Sequence, residues 1–236
     1  MCIKCDASAM SRRGLLTGAA AGIGALLAGS SAIAASGPKT LLKPDDALKQ
    51  LMAGNAKYVA APQVCAADLA KQRAQVASSQ APWATILSCA DSRVPPELLF
   101  GGAGPGELFV ARNAGNMVDT ATMGTIEYGA AVLGVPLIMV LGHERCGAVA
   151  AACDVVTKNA KFPGSIAPMV KAIVPAAQAA KGKPGDFVDN AIRESARRTA
   201  ARIGHSSPII SKLVKDGKVK IVAARYDLDD GKVEIL

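Results

Sequence analysis

Residues 135–141, VPLIMVL, run for seven positions without a polar side chain. A run this short and this apolar, bounded by glycines at 134 and 142, predicts a strand buried on both faces, as in parallel sheets covered by helices. WATILS at 83–88 also reads as a buried strand, and LFVA at 108–111 as another strand. Helical segments separate them. PDDALKQLMAGNAKYVA (44–60) starts with Pro44 and two aspartates, which suit a helix N-terminus. A polar stretch to about residue 79 also reads as helical. Residues 94–107, rich in Gly and Pro, read as a loop. ATMGTIEYGAAVLG (121–134) reads as a helix closed by Gly134, and CGAVAAACDVV opens the next one. Further helices are expected at about 165–180, 186–203 and 207–216. KVKIVAARYDL (218–228) and KVEIL (232–236) predict a terminal hairpin turning at 229–231. The expected fold class is therefore α/β, a mostly parallel β-sheet flanked by helices on both faces and ending in an antiparallel hairpin. No linker divides residues 35–236, so they are expected to form a single domain.

Residues 1–34 read as a leader. Arg12 and Arg13 precede the weakly apolar GLLTGAAAGIGALLAGSSAIAA, which contains an A-x-A site at Ala32–Ala34. A basic start, an apolar stretch and small residues at a cleavage site form a secretory signal. The arginine pair resembles a signal for the twin-arginine export machinery. The expectation is a periplasmic or otherwise exported protein cut near Ala34/Ala35. The alternative is an uncleaved leader that anchors the chain in a membrane.

The formal charge of +8 invites a nucleic-acid reading. Aromatics make up only 3% of the chain, too few for a base-stacking surface. The densest arginines, Arg193, Arg197, Arg198 and Arg202, fall at helical spacing and read as a solvated helix face. No nucleic-acid partner is expected.

There are two histidines and six cysteines in all. His143 and Cys146 stand three apart in LGHERCGAV, straight after VPLIMV, and Cys89 follows WATILS. In an open parallel sheet, ligands bind at the carboxyl ends of strands, so two such ends can bring Cys89, His143 and Cys146 together. Two thiolates and an imidazole suit Zn²⁺, and three protein ligands leave a fourth position open, the mark of a catalytic site. Cys153 lies seven helical steps beyond Cys146, roughly 10 Å along the axis. With Zn–S bonds of about 2.3 Å, one ion does not reach both. The spacing leaves Cys65 and His205 open, although GHSSP around His205 reads as a surface turn. In an exported protein, the four cysteines left after cleavage, Cys65 and Cys153 among them, also admit two disulfides. Asp91 and Arg93 fall within four residues of Cys89. The aspartate is placed to accept a hydrogen bond at a metal or to bind it, and Arg93 to keep that carboxylate ionised and off the metal.

CADSRVPPELLF, ARNAGN, GTIEYGA, LGHERCGAV and ARYDLDDGKV, in that order, resemble the β-class carbonic anhydrases across essentially all of 41–236. The resemblance implies one zinc per chain on Cys89, His143 and Cys146, and an Asp91–Arg93 catalytic dyad, with Asp91 as fourth ligand in a closed form. It implies a substrate pocket with Gln80, Phe109 and Tyr128, shared between protomers of a homodimer or higher homo-oligomer. The implied reaction is reversible hydration of CO₂ to bicarbonate and a proton. A CS₂ or COS hydrolase on the same scaffold, or a non-catalytic zinc- or bicarbonate-binding module, are the alternatives.

Overall fold

The computed structural model describes residues 39–62 and 69–236. The leader reading for 1–34, with its cut near Ala34/Ala35, and the state of Cys65 lie outside the described residues. In chain order the elements are α1 (Pro44–Ala60), α2 (Leu69–Val76), β1 (Ala84–Cys89), α3 (Pro96–Leu99), β2 (Leu108–Asn113) and α4 (Thr120–Glu127). A π-helical turn (Tyr128–Val132) follows, then β3 (Leu137–His143), α5 (Gly147–Lys158), α6 (Ile166–Ala180), α7 (Phe187–Ser206), α8 (Pro208–Lys215), β4 (Lys220–Tyr226) and β5 (Val233–Ile235). The strands form one sheet in the order β2-β1-β3-β4-β5. The first four are parallel and β5 returns antiparallel to β4.

The apolar runs occupy the middle of this sheet. β1 and β3 are buried at every position, because neighbours pair both edges and helices cover both faces. Alternation decides which face each residue serves. Leu137, Met139 and Leu141 pack with Leu51 of α1, and Ile138 and Val140 pack with Ile126, Ile203 and Ile210 of α4, α7 and α8. Asn55 ties α1 to the far end of the chain. Its amide donates to the carbonyls of Leu99 and Gly231 and accepts from the Val233 N–H.

Four expectations change. The 94–107 loop contains a one-turn helix, α3, with proline at its start, where a missing N–H costs nothing. The helix expected at 121–134 changes to π geometry at Tyr128. There it crosses the sheet so closely that a Cβ at Gly129 would lie 2.9 Å from Phe109 Cδ1 and Thr85 Oγ1. Gly134, at φ +74°, ends it. Arg193 is not on a solvated face: it is half-buried and bonds Asp189 at 2.8 Å and Glu234 at 2.9 Å, bracing β5 against α7. His205 lies in the last turn of α7, exposed, rather than in a loop. Among the described residues no helix is long and apolar enough to cross a membrane.

Candidate metal centre

β1 and β3 run two residues or fewer beyond their apolar stretches, and the added residues matter. Cys89 is the last residue of β1 and His143 the last of β3. The two strands are parallel neighbours, so both side chains emerge at the same carboxyl edge. Cys146 follows a tight turn in which Arg145 takes φ +52°, and it caps the N-terminus of α5. The ligand atoms of Cys89, His143 and Cys146 lie within 4.8 Å of one another. All three residues are buried.

The imidazole has one committed nitrogen. His143 Nδ1 lies 2.8 Å from the Glu144 carbonyl, which can only accept, so Nδ1 carries the proton. Nε2 is left with a lone pair, and it is buried without a hydrogen-bond partner. An orphaned acceptor facing two thiols is costly unless something binds there. Soft sulfur and imidazole donors suit zinc. The thiols are poised as well. A hydrogen bond from Cys146, resisted by burial and helped by the Gly115 N–H, holds the Cys89 thiol well below its ordinary range. The same bond pushes Cys146 up, so one proton is shared between two sulfurs.

Asp91 stands at the rim. Arg93 donates Nε to Oδ1 at 2.9 Å and Nη2 to Oδ2 at 2.7 Å, a bidentate clamp, and its backbone N–H reaches Oδ1 at 3.0 Å. The Arg93 side chain is the main reason the Asp91 carboxyl sits far below the usual carboxylate range; burial works against it. Asp91 Oδ2 is 3.8 Å from His143 Nε2. With both oxygens engaged by Arg93, Asp91 is held beside the Cys-His-Cys group rather than within it. Arg93 also reaches the Arg145 carbonyl at 3.4 Å, linking the two ligand-bearing loops.

The residues implied as a substrate pocket stand elsewhere. Phe109 and Tyr128 stack with ring centroids 6.2 Å apart. Phe109 pairs with Thr85 near the amino end of β1, whereas Cys89 ends that strand. Four steps of about 3.3 Å separate them, roughly 13 Å. Gln80 is exposed and lines a concavity with Val76 and Gly106, before β1 and β2 begin. One chain does not bring these three residues to its own Cys-His-Cys group. A concavity of about 880 Å³ between α1 and α8 lies at the amino end of β4 and is likewise remote from the ligands.

Cys153 is buried in α5 and, like Cys89 and Cys146, a free thiol. Burial raises it to about 11, which leaves it protonated and inert at neutral pH. A second acidic cluster, Glu144, Asp227 and Asp229, is neutralised by arginines: Arg145 bonds Asp229 at 2.5 Å and Arg225 bonds Asp227 at 2.9 Å. It clamps the 143–146 turn to the terminal hairpin. The sequence singled out none of Gly115, Arg112 and Arg145 for a role. Their only signal was ARNAGN and HERC as family-like words, because backbone hydrogen bonds leave no periodic trace.

With this geometry in view, comparison with known proteins gives a consistent result. A model of the carbonic anhydrase family matches residues 84–233. Carbonic anhydrase 2 of Mycobacterium tuberculosis strain H37Rv is 37% identical over 189 residues, covering 80% of this chain and 91% of that protein. The carbonic anhydrase of Mycolicibacterium smegmatis is 35% identical over 192 residues, covering 81% and 93%. Among solved structures, the Coccomyxa β-carbonic anhydrase in complex with acetazolamide matches with a TM-score of 0.64 and 29% identity, over 80% of this chain and 86% of that one. A tetrameric β-carbonic anhydrase of Sordaria macrospora matches in fold, with a TM-score of 0.62 and 23% identity over 71% and 90% of the two chains.

Proposed function

This chain belongs to the β-carbonic anhydrase family, and from that premise we infer how its site performs the reversible hydration of CO₂ to bicarbonate and a proton. The observation that carries the inference is the buried, unpartnered Nε2 of His143 facing the sulfurs of Cys89 and Cys146. We assign these three residues as ligands of one zinc per chain. Zinc held there supplies the Lewis acidity that makes water acidic near neutral pH, carbonic anhydrases of the three-histidine type being the standard case. The chain's own groups do the rest. Two thiolates balance the charge of the dication, so the buried site is neutral. The Glu144 carbonyl fixes the His143 tautomer that leaves Nε2 free. Asp91, kept ionised by Arg93, accepts a hydrogen bond from an O–H at the rim and so orients that oxygen for attack on the carbon of CO₂. Arg93 engages both Asp91 oxygens, so Asp91 would have to leave this clamp to serve as a fourth ligand.

The test is CO₂ hydration by the purified protein, followed by stopped flow from pH 7 to 9, with metal analysis on the same sample. About one zinc per chain and activity well above the buffer rate are expected. A protein without zinc after native purification defeats the ligand assignment. Full zinc with no CO₂ hydration but turnover of CS₂ or COS moves the substrate assignment to that class.

Two further readings are proposed with it. The arginine pair Arg12–Arg13 supports twin-arginine export and cleavage near Ala34. The remoteness of Gln80, Phe109 and Tyr128 from their own chain's ligands supports a dimer or larger oligomer, in which a second copy completes each pocket. Edge strand β2 is only half-buried, which leaves that side of the sheet open to a second copy. One sample checks both: periplasmic protein beginning at Ala35, with a light-scattering mass of at least two chains. Export undiminished in the Arg12→Lys, Arg13→Lys double variant rejects the first reading, and a monomer rejects the second.

A further inference from the structure

Four contacts tie the Cys89–Asp91 segment to the end of β2 and the loop that joins it to α4. The Gly115 N–H donates to Cys89 Sγ at 3.4 Å. Arg112 Nε donates to the Cys89 carbonyl at 2.9 Å, and its Nη2 donates to the Asp91 carbonyl at 2.7 Å. The Ala90 N–H donates to the Asn113 carbonyl at 3.1 Å. The loop is itself rigid. Asn113 accepts from the Met117 N–H at 2.9 Å and donates to the Met117 carbonyl at 2.8 Å and to Thr122 Oγ1 at 3.2 Å.

Position 115 favours glycine on two independent counts. Its φ is +80°, followed by +44° at Asn116, a left-handed turn that aims backbone N–H groups inward. A Cβ there would lie 2.5 Å from Ile173 Cδ1 and 3.2 Å from Ala148 Cβ. Side chains of α5 and α6 thus fill the space beside this backbone. An N–H fixed on a thiolate removes part of the charge that the sulfur would otherwise give to a metal.

We infer that Gly115 is a positioning residue for the metal centre: its N–H orients the Cys89 thiolate and tempers its charge, which strengthens the Lewis acidity of the bound ion. The inference rests on the assignment of Cys89 as a zinc ligand.

The direct test needs no mutation. Wild-type protein labelled with ¹⁵N-glycine and loaded with ¹¹³Cd²⁺ in place of zinc is expected to show a scalar coupling between cadmium and the Gly115 amide proton, carried through Cys89 Sγ. One bound ¹¹³Cd coupled to the Cys89 Hβ protons but to no glycine amide overturns the inference and leaves the ligand assignment standing. Cadmium that does not couple to Cys89 at all brings down both. As a second arm, Gly115→Ala is expected to bind zinc roughly 10–100-fold more weakly against a competing chelator. It is also expected to shift the thiolate-to-metal band of the Co²⁺ form. Both variants keep the N–H, but Gly115→Ala displaces it with a Cβ, whereas Ile173→Ala loosens the same packing without one and is expected to leave that band in place. Equal band shifts in the two variants make Gly115 a packing residue only and overturn the inference.

Discussion

His143→Ala protein is expected to purify without zinc and without measurable CO₂ hydration. The imidazole is fully buried, and its Nε2 is the only nitrogen among the three clustered ligand atoms. Losing an outer partner of a metal ligand costs about 10–100-fold in affinity, and losing the ligand itself is expected to exceed the top of that range. A second readout separates metal loss from misfolding. A ligand that binds only the native state raises its stability by mass action. Wild-type protein is therefore expected to lose thermal stability on chelation and to regain it with added zinc, whereas the variant responds to neither. Chelation is expected to speed up as pH falls, because thiolates and imidazole must be deprotonated to hold the metal. Stoichiometric zinc in His143→Ala would remove His143 from the ligand set.

Asp91→Asn is expected to keep its zinc and still hydrate CO₂ at least about tenfold more slowly. The substitution preserves size and leaves Cys89, His143 and Cys146 untouched. It replaces a carboxylate, which only accepts, by an amide that can turn its NH₂ toward the same oxygen. It also ends the two-point ionic clamp with Arg93. A hydrogen bond to a charged group is worth roughly 1.5–3 kcal/mol. If it is felt mainly in the transition state, that is about one to two decades in rate. Paired metal analysis and stopped-flow measurement on one preparation check the result. A zinc-loaded variant as fast as wild type would leave the enzyme in place and take Asp91 out of its chemistry.

The chain's local chemistry already carried the sheet. VPLIMVL and WATILS have no polar face, so each had to be covered on both sides, and they became the fully buried β3 and β1. Cys89 and His143 were legible as partners for the same reason: each stands where an apolar run stops, and parallel strands share a carboxyl edge. The distance of Cys153 from Cys146 along α5 followed from helical rise alone. Strand order did not. β1 lies between β2 and β3, so the neighbour of the Cys89 strand that carries His143 is not the next strand in sequence. That order depends on contacts between distant segments, which periodicity does not encode. For the same reason only the tertiary structure separated Gln80, Phe109 and Tyr128 from the ligands. They line the amino end of strands whose carboxyl end holds the Cys-His-Cys group, and a family-like word in a sequence has no end. Gly115 shows the limit from the other side. Its glycine was visible, but its reasons were not: a left-handed backbone turn, and the side chain of Ile173, fifty-eight residues on, in the space where a Cβ would go.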